Sequence, residues 1–130
     1  METKTFNEVK TDQRDVVRHE NGYYYVQPRC DIRENKDHYY LLLEMPGVNK
    51  DTLSVQVKDG QLMIEGKMNI QEDGELIRSE IYKRNYRRVF TLGKTVDTQN
   101  IDASWKNGFL QMRLTKKEEA KPREIKINFN

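Results

Sequence analysis

Three turn dipeptides, Pro46-Gly47, Asp59-Gly60 and Asn107-Gly108, cut this chain into short runs whose apolar residues fall on every second position. Asp-Gly and Asn-Gly supply the positive φ angles that a two-residue hairpin turn requires. Pro46 removes a ladder donor and Gly47 permits the chain to swing away, so the strand before them stops there. The runs between are Tyr39-Leu41-Leu43-Met45, Leu53-Val55-Val57, Leu62-Ile64 closed by Gly66, Val89 to Leu92, Ile101-Ala103-Trp105 and Leu110-Met112-Leu114. Alternation of this kind buries one face of a strand and is wrong for a helix. Short strands with turn chemistry every 8–12 residues predict an all-β fold, an antiparallel sandwich.

Outside these runs the texture changes. Residues 1–22 read as a polar N-terminal arm with scattered Phe6, Val9, Val16 and Val17, and with a short helix expected around Asp12–His19. The sandwich is expected over 23–115. Within it, residues 67–85 are too long for an ordinary hairpin loop. That stretch is charged, yet it holds a β-compatible run, Leu76-Ile77-Arg78-Ser79-Glu80-Ile81-Tyr82. A strand inside a long loop is expected to be a lid or an arm that pairs elsewhere. Residues 116–130 form a tail: Lys116 to Arg123 is a solvated tether, and Ile125 and Ile127 beyond it point the same way when the segment is extended.

Composition narrows the function. At 130 residues there is room for one ordinary domain. The 23 basic and 21 acidic side chains nearly cancel, which gives no general drive toward nucleic acid or anionic membrane. No apolar run is long enough for a membrane helix, and the first twenty residues lack the apolar core of a secretory signal. A lone cysteine, Cys30, excludes an internal disulfide framework and suits a reducing compartment, so the cytoplasm is the expected address.

Catalysis has little to stand on. His19 and His38 are the only histidines and have no metal-ligand spacing. Cys30 reads as a half-buried small side chain, and the glycines have turn explanations in place of a phosphate loop. No catalytic, cofactor or metal site is expected. Lys83, Arg84, Arg87 and Arg88, with Tyr82 and Tyr86, invite a nucleic-acid reading. Glu72, Glu75 and Glu80 lie among them and the domain is not strongly basic, so loop pairing is the simpler role. Tyr23-Tyr24-Tyr25 is either a first strand or an adhesive aromatic patch.

Five elements in order carry a resemblance. They are Asp31-Ile32-Arg33-Glu34; Glu44-Met45-Pro46-Gly47-Val48 with Asp51 and Leu53; Tyr86-Arg87-Arg88-Val89-Phe90; Ala103-Ser104-Trp105-Lys106-Asn107-Gly108-Phe109-Leu110; and Ile125-Lys126-Ile127. From about Val26 to Ile127 the chain resembles the small heat-shock proteins of the bacterial and plant branch. The resemblance implies an α-crystallin domain, an immunoglobulin-like β-sandwich with a flexible N-terminal arm and C-terminal tail. It implies an ATP-independent holdase, not an enzyme, that binds partly unfolded client proteins and prevents their aggregation.

The resemblance also implies partners. The loop segment Leu76, Ile77, Arg78, Glu80 and Ile81 would pair with a neighbouring subunit to make a homodimer, with Glu80 and Arg88 as a supporting ion pair. Ile125 and Ile127 would dock in a groove lined by Leu53, Val55, Val57, Ala103 and Trp105 of another dimer, an extended-peptide mode akin to strand addition. Self-assembly and unfolded clients are thus the expected partners, with no nucleic acid and no stable membrane association. The competing expectation is a non-chaperone adaptor of the same fold that docks one specific partner.

Overall fold

The computed structural model describes residues 6–8, 18–20 and 23–129, with side chains from Tyr25 onward. Its strands are β1 (Phe6–Glu8), β2 (Arg18–Glu20), β3 (Tyr23–Val26), β4 (Arg29–Glu34), β5 (His38–Glu44), β6 (Val48–Lys58), β7 (Gln61–Met68), β8 (Arg84–Leu92), β9 (Val96–Lys106) and β10 (Phe109–Lys116). One sheet runs β2-β3-β8-β7-β6, with β1 added to β8; the other runs β4-β5-β10-β9. All pairings are antiparallel except β3 on β8, which is parallel. A single 3-10 turn, Glu118–Ala120, is the only helical element among the described residues. The helix expected around 12–19 lies largely outside the described residues; Arg18 and His19 at its end belong to β2.

The alternation in sequence becomes the core. Tyr39, Leu41 and Leu43 of β5, with their lateral neighbours Leu114, Met112 and Leu110 of β10, share the core with Leu62 and Ile64 of β7 and Tyr86, Phe90 and Leu92 of β8 in the other sheet. The residues between them on the same strands, such as Tyr40, Glu44, Arg87, Thr91, Gln111 and Arg113, stay exposed. Both hairpin corners take the positive-φ pair anticipated from their dipeptides, Asp59 at 52° with Gly60 at 75°, and Asn107 at 51° with Gly108 at 81°. Gly66 is glycine for another reason. A Cβ there would meet Val48 Cγ2 at 3.0 Å and Met45 Sδ at 3.3 Å, so β7 lets the chain after the Pro-Gly turn cross closely over it. The same turn is held from β8, where the Tyr86 hydroxyl donates to the Pro46 carbonyl at 3.0 Å. Burial pushes the Tyr86 phenol above its ordinary pKa, keeping that donor protonated.

Candidate functional site

The two sheets share one side, where β3 passes directly into β4 through Gln27 and Pro28. Counted away from that side, the orders β3-β8-β7-β6 and β4-β5-β10-β9 both finish in an edge strand. β6 and β9 therefore close the opposite side of the sandwich, each with one backbone edge unpaired among the described residues. Register identifies which of their residues face inward. Leu53, Val55 and Val57 stand opposite Gly66, Ile64 and Leu62, all inner positions of β7. Ile101, Ala103 and Trp105 stand opposite Leu114, Met112 and Leu110, all inner positions of β10.

These inward residues are not covered as core residues are. Leu53, Val55, Ile101 and Trp105 are only partly buried against the core, Val57 is 39% exposed, and Ala103 is open. An inner-facing side chain on an edge strand lacks a lateral neighbour, and six such residues, three on β6 and three on β9, make the candidate groove of this fold. The residues expected to line a tail-accepting groove, Leu53, Val55, Val57, Ala103 and Trp105, stand at these inner positions of the two edge strands; Ile101 shares the pattern. The bulge that precedes Ile101 is shaped by Asp97, whose carboxylate accepts from Gln99 N at 3.0 Å and Asn100 Nδ2 at 2.7 Å. The side-chain bond from Asn100, then that from the Gln99 amide, hold this carboxyl below its usual pKa.

The tail does not occupy its own groove. Ile125 is 84% exposed and Ile127 69%, and the chain beyond Ala120 has no regular structure. Its root, by contrast, is tied down. Lys116 N donates to Asp37 O at 2.9 Å and Lys117 N to Thr95 O at 2.7 Å. The Lys116 ammonium meets Glu34 Oε2 at 2.8 Å and lies over the Tyr39 ring, while Lys121 bridges Glu118 at 2.9 Å and Asp37 at 3.9 Å. Hydrogen bonding to Glu118 raises the Lys121 pKa and favours its charged form. No sequence reading singled out this clamp, because its members are ordinary surface charges until the fold brings Asp37 beside the tail.

The long loop is equally open. Residues 69–83 contain no strand within the single chain, and Leu76, Ile77, Ile81 and Tyr82 are 65% exposed or more. Glu80 pairs with Arg78 at 3.0 Å, on the surface. Arg88 is turned elsewhere in the same chain: its Nη1 donates to Pro28 O at 2.7 Å and its guanidinium lies 5.0 Å from the Phe90 ring centroid. The basic residues near the loop also disperse, with Arg87 against Glu65 at 3.3 Å. Across from the groove, β4 is the other unpaired edge of its sheet, with Ile32 40% exposed. Cys30 on that strand is half-buried against the core.

A two-sheet sandwich with incompletely covered apolar residues on two edge strands, a charged apolar-tipped tail and a long exposed loop has the architecture of an α-crystallin domain. The model of the Hsp20/alpha crystallin family matches residues 31–128, and the chain belongs to that family. It is 39% identical over 92 residues to a "Probable 15 kDa heat shock protein" of Leptospira interrogans, covering 70% of this chain and 71% of the relative. It is 33% identical over 106 residues to "Small heat shock protein C4" of Rickettsia felis, covering 79% of this chain but 65% of that relative's length. A solved small heat-shock protein from Xylella fastidiosa, described as having a distinct high order structure, superposes with a TM-score of 0.62 at 28% identity. That superposition covers 78% of this chain and 96% of the Xylella chain. Membership in a family of small heat-shock proteins implies a chaperone role. No helix among the described residues is long and apolar enough to cross a membrane.

Proposed function

We propose that this chain is an ATP-independent holdase that binds partly unfolded proteins, working in the cytoplasm as a homo-oligomer. The observation that carries this reading is the candidate groove: six inward-facing residues on two edge strands are incompletely covered, while the apolar tip of the tail stands in solvent. Unfolded chains offer the complement, apolar side chains on extended backbone. A protein that binds them withdraws them from the pool that aggregates, by mass action and without a fuel.

Two self-contacts follow from the same exposed parts. Leu76–Ile81 adds as a strand to the open β4 edge of a second copy, which satisfies backbone groups on both and covers Leu76, Ile81 and Ile32. In that dimer Glu80 leaves Arg78 for Arg88, near the β3–β4 corner where Pro28 lies. Ile125 and Ile127 seat in the β6–β9 groove of another dimer and cover it at rest; heating releases them. In this reading residues 1–22 are the arm, 23–115 the domain, 67–85 the dimerisation loop and 116–130 the tail.

The test is light scattering from several unrelated proteins heated with and without equimolar chain, with and without ATP. Suppression for all of them, unchanged by ATP, is the expected outcome. Protection of a single protein only, or of none, would replace the holdase with an adaptor that docks one specific partner.

A further inference from the structure

The tail carries more than its two isoleucines. Ile125, Ile127 and Phe129 follow one another at every second residue, separated by Lys126 and Asn128, and Phe129 is 90% exposed. The segment after Pro122 has no regular structure, and proline confines its own backbone to extended or turn conformations. In an extended chain residues two apart point the same way, about 6–7 Å from one another. The tail therefore presents three apolar knobs in line, the last of them the largest. Each lip of the groove offers three inward positions at the same repeat. Docked there, two isoleucines would match two of the three rows and leave the third open.

We propose that Phe129 is a third anchor of the tail, seated in the groove of a second copy beside Ile125 and Ile127, where it sets the affinity and register of docking. This rests on the reading of the groove as the tail's receptor. The occupant is another chain's tail because the chain's own tail is out of register with its own groove. Lys116 is paired with Val96 and Leu110 with Trp105, so tail root and far groove end are six residues apart along β10, about 20 Å. From Lys117 the tail makes one 3-10 turn, and with the residues after Lys121 taken as extended it has also travelled about 20 Å when it reaches Ile125. Laid along its own β9, it would bring Ile125 level with Trp105 and carry Ile127 and Phe129 past the end of the strand at Lys106. A tail arriving from a second copy has no such constraint.

Trp105 is the only tryptophan, so its emission reports whether the groove is dry. The experiment compares the full chain with Phe129→Ala, Phe129→Leu and the double variant Ile125→Ala/Ile127→Ala. A dilution series is followed by analytical ultracentrifugation and by Trp105 fluorescence. Burying a phenylalanine side chain is worth about a tenfold to hundredfold in association. Phe129→Ala is expected to move the midpoint of assembly to about tenfold or more higher concentration, with a red shift of Trp105 at fixed concentration. Phe129→Leu is expected to restore most of the loss, and sandwich melting is expected not to move, since Phe129 touches no core residue. An unchanged midpoint in Phe129→Ala, with assemblies lost in the double isoleucine variant, overturns the third anchor while leaving tail docking intact. Failure of both variants to change assembly overturns tail docking itself. Blue-shifted Trp105 emission that persists unchanged on dilution, while sedimentation reports dissociation, means self-docking and overturns the second copy as occupant.

Discussion

At the scale of single residues, the fold depends on a few positions where an atom more or less decides the outcome. Gly66 is the clearest. Its missing Cβ leaves room for Val48 Cγ2 and Cγ1, which would lie 3.0 and 3.1 Å away. An added methyl gains at most about 1 kcal/mol by restricting the unfolded chain. Overpacking a tight inner face costs about 1–3 kcal/mol, so the steric term wins. Gly66→Ala is therefore expected to lower unfolding stability by about 1–3 kcal/mol in denaturant titration, with the slope unchanged. In a Val48→Ala background the same substitution is expected to cost less than about 1 kcal/mol, because the clashing methyls are gone. Equal costs in the two backgrounds would place the strain elsewhere. Arg88 teaches a different lesson: its sequence context suggests a loop partner, yet inside one chain its guanidinium holds the Pro28 carbonyl that turns β3 into β4. Long-range contacts of this kind join residues sixty apart and leave no local pattern to read.

Whole elements were legible where burial has a period and opaque where it does not. β10 alternates in sequence after Phe109 and buries on that alternation, and β5 and β7 bury alternate positions even though Tyr39–Leu43 and Leu62–Ile64 are unbroken apolar runs. The edge strands β6 and β9 read as ordinary strands, and only sheet order reveals that their inner faces lack a lateral neighbour. β1, Phe-Asn-Glu, has neither alternation nor turn signals; it forms because the β8 edge at Phe90–Leu92 is there to receive it. Phe129 could have been found by carrying the every-second-residue count one step past Ile127. Two predictions belong to elements. Removing 71–79 deletes loop residues that no sheet of the single chain uses, but which the proposed dimer needs for main-chain bonds worth about 1 kcal/mol each. A folded monomer with unchanged sheet content is expected by sedimentation and circular dichroism; an undiminished dimer would show that pairing uses another edge. The β9 bulge titrates: Asp97 has its pKa lowered from 3.8 by its hydrogen bonds, so its contribution is complete above that value and is lost as pH falls through the lower, folded-state one. Amide-exchange protection around Asn100 and Ile101 is expected to decline in that acid range in the parent chain and to be insensitive to it in Asp97→Asn.

The whole molecule combines a rigid sandwich with three open features: the β4 edge, the 69–83 loop and the tail-and-groove pair. Their independence is visible in the structure, because none of the exposed apolar residues of loop or tail belongs to the core cluster. Assembly should therefore be separable from folding. Ile125 and Ile127 each stand to gain about 1.5–3 kcal/mol on full burial, and in the proposed docking both would seat in one groove, so losing both would weaken docking by several powers of ten. Ile125→Ala/Ile127→Ala is expected to leave sandwich melting unchanged, within about a degree, because two exposed side chains contribute little to the folded monomer. Species larger than a dimer are expected to vanish in light scattering coupled to size-exclusion chromatography. The groove is then uncovered at all temperatures, so suppression of aggregation should appear at lower temperature and no longer need heating for release. The tail-root clamp of Lys116, Lys121, Glu34 and Asp37 stays intact in this variant, which confines the change to the tip. Loss of large assemblies with no gain in low-temperature holding would mean that the groove receives tails but not clients, and that unfolded chains are held by another surface, such as the loop. A parent chain that is only dimeric at every accessible concentration would instead make Ile125-Lys126-Ile127 an address for a different partner.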